Sequence, residues 1–409
     1  MTASFYYLQF IIVLVVFTER STTYAFLSLG TTHKKHSHAS LLSSTTTELK
    51  MATWSDARAV REYQDFLATG KSEIEKRKDG PCMIITLSEE NNNEMIIASR
   101  AMGHALYEMG MGDDIVMTPE QLLINEVPSS IGGRTEYPIY ITLPPTHLKI
   151  FLLNDAIIKT KLYDRTDDFV FLSGGGACYG NIEKVLKDTG YCRDTTTQFL
   201  CTGFTATADG GGGLLLRDCS TTLGLAENGE EKFAGECAAC GKWSGAVEGR
   251  LESNAIRCKT VFYREWRRLM WERNVFDALF HLVGAVRVQT PLTISDVALY
   301  HGDEISDMAW SISSHLRGRK ALTLTYGFEE RIFAVGEANG ANQPCIIRAD
   351  MFPYIYDEFL LVSNLNEYLC YAQDKCGLLP EITFWRQSSA TKGGKSPFLE
   401  GVLRADGAI

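Results

Sequence analysis

Four arginines, Arg264, Arg267, Arg268 and Arg273, fall within ten residues of one another in a chain whose formal net charge is −10. A guanidinium is a planar fork of N–H donors that matches a carboxylate two bonds at a time. The cluster therefore reads as an anion site facing a cleft, or as a salt-bridged helix face with Glu265–Arg268 at i,i+3 and Arg268–Glu272 at i,i+4. A second candidate is Ser173-Gly174-Gly175-Gly176-Ala177-Cys178-Tyr179-Gly180, which follows an apolar run and precedes a helical pattern. Its G-x-G-x-x-x-G spacing suits a backbone cradle for phosphate, and it equally suits a tight crossover where side chains would clash. His147 follows Pro144-Pro145-Thr146 at a strand end, the edge where α/β sheets bind ligands, and reads as a pocket residue or a helix start.

Other polar clusters read as structural. Cys237-Ala-Ala-Cys240 is a lone C-x-x-C, whereas a closed zinc site needs four ligands. A redox pair or two small packing residues are the remaining readings, and no metal site is expected. His301, Asp303 and Glu304 fit a solvated turn, because adjacent helical residues point in different directions. Tyr326, Glu329, Glu330 and Arg331 make a charged helix face.

The elements that must position these groups come from periodicity. Residues 54–78 predict a helix with Ser55 as N-cap. Cys82–Leu87 is a short apolar run suited to a buried strand, Glu94–Met109 a helix, and residues 113–118 a second strand. This β-α-β opening predicts a parallel, doubly wound sheet. Residues 137–144 and 167–176 continue it, with a helix over 181–190. Two further strands around Asp209–Gly213 predict a hairpin or antiparallel extension. From about residue 241 the period is helical, most clearly at Trp266, Leu269, Arg273, Phe276, Phe280 and Val283.

The fold expected is thus α/β: a modified Rossmann-type parallel sheet with an antiparallel extension, followed by an all-helical C-terminal domain. The divisions expected are a presequence (1–50), an extra helix (51–79), the Rossmann-type domain (80–235), the helical domain (241–380) and a tail (381–409). With 45% apolar and 22% charged residues the chain has the composition of a globular protein. Residues 1–50 carry four Lys/Arg and two Asp/Glu, so the acidity lies in the rest, a poor default binder of nucleic acid. Eleven cysteines, an odd number at low density, favour core packing in a reducing compartment.

Phe5–Phe17 is an apolar run shorter than a membrane span, followed by a stretch rich in Ser, Thr, His and Lys. With Ala25-Phe26 at the junction, this order resembles the bipartite plastid-targeting presequence of algae with secondary plastids, such as diatoms. The resemblance implies a plastid-stromal protein with no membrane attachment once mature.

The order of elements over residues 80–285 resembles ketopantoate reductases and the wider 6-phosphogluconate dehydrogenase-like group. YPIYITLPPTHL, DDFVFLSGGG, the strands TTTQFLCTGFTAT and LLLRDCSTTLGLA, and Trp266-Arg267-Arg268-Leu269 stand where that family has its corresponding strands and its Trp-x-Lys-Leu segment. The resemblance implies NADP-dependent reduction of a small keto acid or similar carbonyl compound, and a homodimer or an internally paired long helix. Arg268 would bind the substrate carboxylate, Asn274 would stand near the family's asparagine, and His147 would line the pocket. Ser173, Gly174, Gly175 and Gly176 would contact the cofactor. The chain departs from the family at the first βα loop, where Ser88–Glu94 has three carboxylates and no glycine, and at Arg268, which replaces a proton-donating lysine. A non-catalytic scaffold that binds a protein or a small anionic molecule is the alternative reading.

Overall fold

The computed structural model describes residues 15–18, 21–24, 77–88, 94–174, 181–191, 196–202, 204–208, 214–218, 220–226, 228–288, 290–341, 343–347, 352–374 and 376–378. The chain forms two compact units, Met1–Leu49 and Lys50–Ile409. In the first, Val15–Thr18 and Ser21–Tyr24 form an antiparallel pair. The helix expected over 54–78 lies, but for its last two residues, outside the described residues, as does the 381–409 tail.

The second unit is built on a seven-stranded sheet. Its strands and longer helices, in chain order, begin with β1 (Met83–Ile85), α1 (Glu94–Glu108), β2 (Ile115–Met117), β3 (Ile139–Ile141), α2 (Pro145–Leu152), β4 (Phe169–Ser173), α3 (Glu183–Thr189) and β5 (Thr197–Leu200). β1 to β5 are mutually parallel, in the order β2-β1-β3-β4-β5, with Met83 beside Ile139 and Ile139 beside Phe169. The strands expected within Cys82–Leu87, 137–144 and 167–176 are thus neighbours in one sheet. Both faces are covered, so the strands are apolar without alternation. Ile84, Tyr140 and Val170 face one core with Met102 and Leu106 of α1, and Met83, Ile139 and Phe169 face the other with Phe151 and Leu186.

Of the two forms expected around Asp209–Gly213, the structure has the hairpin. β6 (Phe204–Ala208) and β7 (Leu214–Asp218) form a separate hairpin packed against α1. β8 (Thr221–Leu225) and β9 (Glu231–Ala234) form another. The sheet is extended instead by β10 (Cys237–Cys240), antiparallel to β5, and by β11 (Cys258–Thr260), parallel to β10, with α4 (Ser244–Glu252) between them. The sheet therefore runs past the expected boundary at 235 and ends at Thr260.

The helical part is organised by α5 (Tyr263–Ala285), 23 residues that are buried on nearly every side. Around it lie α6 (Ile294–Tyr300), α7 (Gly302–Lys320), α8 (Phe328–Asn339) and α9 (Ser363–Asp374). Phe276 stacks on Phe280 at 4.5 Å and Phe280 meets Phe333 edge-on at 5.7 Å, joining α5 to α8. Among the described residues no helix is long and apolar enough to cross a membrane.

The amino ends of the parallel strands are locked by buried charge. Arg250 of α4 is fully buried and donates to Asp114 (2.9 Å), Asp79 (3.2 Å), the Gly80 carbonyl (2.9 Å) and the Leu106 carbonyl (3.0 Å). Asp114 also accepts from the Cys82 amide at 2.8 Å. Beneath β4, Asp168 accepts from Arg165 (2.7 Å), Lys242 (2.7 Å) and the Trp243 indole (3.0 Å).

Arg250→Met is expected to cost about 3–5 kcal/mol, because it leaves two carboxylates buried without their cation. Urea unfolding checks this, and a cost below about 1 kcal/mol would reject the lock. A second expectation concerns His281 of α5, whose pKa burial pushes from 6.5 down to about 4. As pH falls through that window the unfolded chain takes a proton that the native imidazole refuses. Stability is therefore lost toward acid, by about 3 kcal/mol in all at ~1.4 kcal/mol per pH unit. Urea midpoints at pH 7 and 4.5 should show that loss in the wild type and a smaller one in His281→Gln.

Candidate functional site

The carboxyl ends of β1, β3, β4 and β5 form the edge where a doubly wound sheet binds its ligands. At the point where strand order reverses, between β1 and β3, α1 is seated close. A Cβ on Gly103 would stand 2.9 Å from the Thr86 Cβ. The hydroxyls there donate inward: Ser99 to the Thr142 carbonyl (2.7 Å), Thr86 to the Ser99 carbonyl (3.2 Å) and Thr142 to the Ile85 carbonyl (3.2 Å). Close seating is what a dinucleotide-binding turn needs, but these donors are spent on the protein. With Ser88–Glu94 lacking glycine and carrying three carboxylates, the residues present do not fit a dinucleotide diphosphate.

Gly174 ends β4 with φ +78°, and a Cβ there would meet the Cys201 carbonyl oxygen at 2.9 Å. Its glycine is explained by the crossover to β5. Ser173 is fully buried within the strand, its backbone carbonyl accepting from the Cys201 amide at 2.8 Å. Gly175 and Gly176 lie outside the described residues.

Farther along the same edge a cavity of about 60 Å³ opens between the sheet and the helices. Leu200 and Thr202 enter it from the end of β5, and Gly235 and Glu236 from the chain entering β10, where Thr202 Oγ1 donates to the Glu236 carbonyl at 2.6 Å. Lys259 of β11 stands 3.6 Å from the Glu236 carboxylate. α5 contributes Leu269, Arg273 and Phe276, and α8 contributes Arg331, Ile332 and Val335. Arg331 is fully engaged: it chelates Glu272 at 2.8 and 2.7 Å and donates to the Tyr326 and Thr325 carbonyls at 3.0 and 3.2 Å. Burial pushes the Glu272 carboxyl up although Arg331 pulls it down. Arg273 is different. Its Nε stands 3.0 Å from Asp277 Oδ1 and its guanidinium lies 4.6 Å over the Phe276 ring, yet Nε makes no hydrogen bond.

A wider opening of about 390 Å³ is lined by Glu236, Glu252, Arg257 and Cys258. Ala255 and Ile256 complete its lining, and its two carboxylates oppose an anion.

The sequence-based candidates are not brought together. Arg268 is exposed and is not among the cavity's lining residues. Its expected partner Glu272 is taken by Arg331, so the i,i+4 pair on α5 gives way to a bidentate pair between helices. Arg267 instead ties α5 to α3 through Glu183 at 2.5 and 3.3 Å. Asn274 is buried in the helical core, donating to the Ile355 carbonyl at 3.3 Å. His147 is half-buried in α2, its Nδ1 3.3 Å from Thr146 Oγ1. Cys237 and Cys240 are both buried in β10 and enter opposite cores, as residues three apart on a strand must, which excludes a local redox pair. Glu304 is not in a solvated turn: it is buried and meets Arg287 (2.5 Å), Tyr368 (2.7 Å) and His301 (3.0 Å). Among the described residues no group of three or more His, Cys, Asp or Glu could hold a metal ion.

Lys259, Glu236 and Thr202 were missed. They come together through the antiparallel pairing of β10 with β5 and the parallel pairing of β11 with β10, and no local spacing announces either pairing.

Gly174→Ala is expected to lower stability by about 1–3 kcal/mol through the left-handed φ and the Cys201 contact. A thermal midpoint equal to wild type would show that the crossover does not need glycine.

No protein-family model matches this chain, and no curated protein matches it. Solved structures are similar, ketopantoate reductases among them. One is a PanE/ApbA family ketopantoate reductase from Ralstonia eutropha, 11% identical, with 80% of this chain and 99% of that one covered at a TM-score of 0.40. The 2-dehydropantoate 2-reductase of Methylococcus capsulatus is 12% identical over 80% of this chain and 98% of that one, at 0.36. That of Porphyromonas gingivalis is 11% identical over 73% and 99%, at 0.39. A likeness this distant says nothing of the site.

Proposed function

We propose that this protein binds a small organic carboxylate in the cavity between β5, β10, α5 and α8. The observation that carries this reading is Arg273, a cavity-lining guanidinium whose ion pair with Asp277 is made on its Nε side. A cationic fork with open donors is completed by a planar anion. Lys259 adds a second positive charge, and Leu269, Phe276, Ile332 and Val335 offer an apolar wall to the ligand's body. The role expected for Arg268 thus passes to Arg273, five residues along the same helix.

A second reading is turnover: reduction of a small keto acid or similar carbonyl compound by a reduced nicotinamide. It is favoured by the close seating of α1 at Gly103 and by Lys259, an ammonium at the cavity that is chemically able to give a proton to a carbonyl oxygen. The glycine-free, acidic Ser88–Glu94 segment stands against it, and no step through a cofactor is assigned.

Calorimetric titration with acetate, pyruvate and larger 2-oxo acids tests the first reading. Wild type should bind at least one saturably, and Arg273→Gln and Lys259→Met should each weaken that binding about tenfold or more. Lys259→Met should keep the wild-type thermal midpoint, whereas Arg273→Gln should lower it because buried Asp277 loses its cation. Equal affinity in Arg273→Gln would reject the site. Titration with NADPH and NADH, followed by absorbance with the bound keto acid present, separates the readings. Consumption of reduced nicotinamide would establish turnover, and carboxylate binding without nicotinamide binding would leave a binding protein.

A further inference from the structure

One buried ionisable group has no part in the cavity's lining. Asp277 lies one turn beyond Arg273 on α5 and is 1% exposed, and neither carboxylate oxygen accepts a hydrogen bond from a described residue. Its ion partner is Arg273, with Nε 3.0 Å from Oδ1. His281, one turn farther, is held down to about 4 by burial, with Asp277 pulling it up and Arg273 pushing it down. Near neutral pH it is therefore uncharged, and Arg273 is the cation that faces Asp277. A buried ion pair is weak evidence for stability, since desolvating both charges offsets their attraction. Its better-attested effect is to fix geometry.

The geometry here is specific. Asp277 stands on the Nε side of the guanidinium, and Phe276, itself a cavity residue, lies beneath the plane at 4.6 Å. The guanidinium thus has a carboxylate against one edge and a ring against one face. We infer that Asp277 is a positioning residue: it fixes the Arg273 guanidinium over Phe276 so that the Nη edge meets the ligand as a rigid fork. Pre-ordering a planar donor pair favours a planar two-oxygen acceptor over a spherical ion of equal charge. The cavity accordingly selects carboxylates over chloride. The ligand half of this inference rests on the carboxylate reading above, and the positioning half stands without it.

The test is nitrogen-15 NMR of the full chain, observing the arginine Nε–H signals. The Arg273 signal, assigned by its loss in Arg273→Lys, should exchange slowly with water in the wild type and about tenfold or more faster in Asp277→Asn. An unchanged rate would overturn the positioning role. Calorimetry with acetate and with chloride gives the selectivity. Acetate preference should fall about tenfold in Asp277→Asn, and the same substitution should change nothing further in an Arg273→Lys background. Preference retained in Asp277→Asn would overturn the selectivity. If wild type binds neither ion, the carboxylate reading fails and the exchange rate alone decides the positioning. Should Asp277→Asn not fold, Asp277→Glu keeps the charge but moves it by one methylene. The Arg273 signal must then shift or exchange faster, and a signal identical to wild type would overturn the inference.

Discussion

One buried guanidinium fixes the frame on which the site is built. Arg250 meets two carboxylates and two backbone carbonyls and is wholly removed from water. Its partners belong to the entries of β1 and β2 and to the carboxyl end of α1, so one side chain on α4 gathers the amino ends of the sheet. Such a knot is costly to assemble and much costlier to break, since either partner alone would be a buried charge. Asp168 repeats the arrangement below β4 with cations of its own. The amino edge is thus where the fold is held, and the carboxyl edge is free to carry loops and ligands.

The lock reaches the cavity through α4. Held by Arg250 at one end of the sheet, α4 packs on β11, and Glu248 accepts from the Thr260 amide at 3.3 Å. That placement sets β11 beside β10, with Cys237 paired to Cys258, and so brings Lys259 near Glu236. Two residues after β11 the chain enters α5, whose start is fixed by the same contacts. Arg273 and Lys259 thus reach one cavity from neighbouring elements, α5 and β11.

What the sequence made legible follows from how local each signal is. The strands β1, β3 and β4 are buried on both faces, so each is an uninterrupted apolar run that identifies itself. The helix α1 was equally readable. β10 was not, because Cys-Ala-Ala-Cys has no β-branched or aromatic residue and becomes a strand only by pairing with Gln198–Leu200. The arginine cluster was visible but could not be sorted. The periodic stripe Trp266, Leu269, Arg273, Phe276 placed Arg273 on the packed face of α5, but the pattern did not show that this face borders a cavity. Glu272 had an eligible local partner in Arg268, and is met instead by Arg331, 59 residues away, whose planar fork reaches both carboxylate oxygens. Glu304 was misread for a related reason: its partner Tyr368 lies on another helix.

Charge counting would not have found the site even with the fold in hand. Arg273, Arg331 and Lys259 each have a carboxylate nearby, so the cavity with its immediate partners is close to neutral. What separates them is hydrogen-bond saturation. Arg331 spends its donors on Glu272 and two carbonyls, and Arg267 spends its own largely on Glu183. The Arg273 pair is in contact without a hydrogen bond, and Lys259 stands 3.6 Å from Glu236, beyond hydrogen-bonding distance. A paired but unsaturated donor keeps its charge in place at the cavity wall while leaving its N–H groups for a ligand. A fully bonded one is a strut. Among the arginines that line the cavity, that criterion separates Arg273 from Arg331.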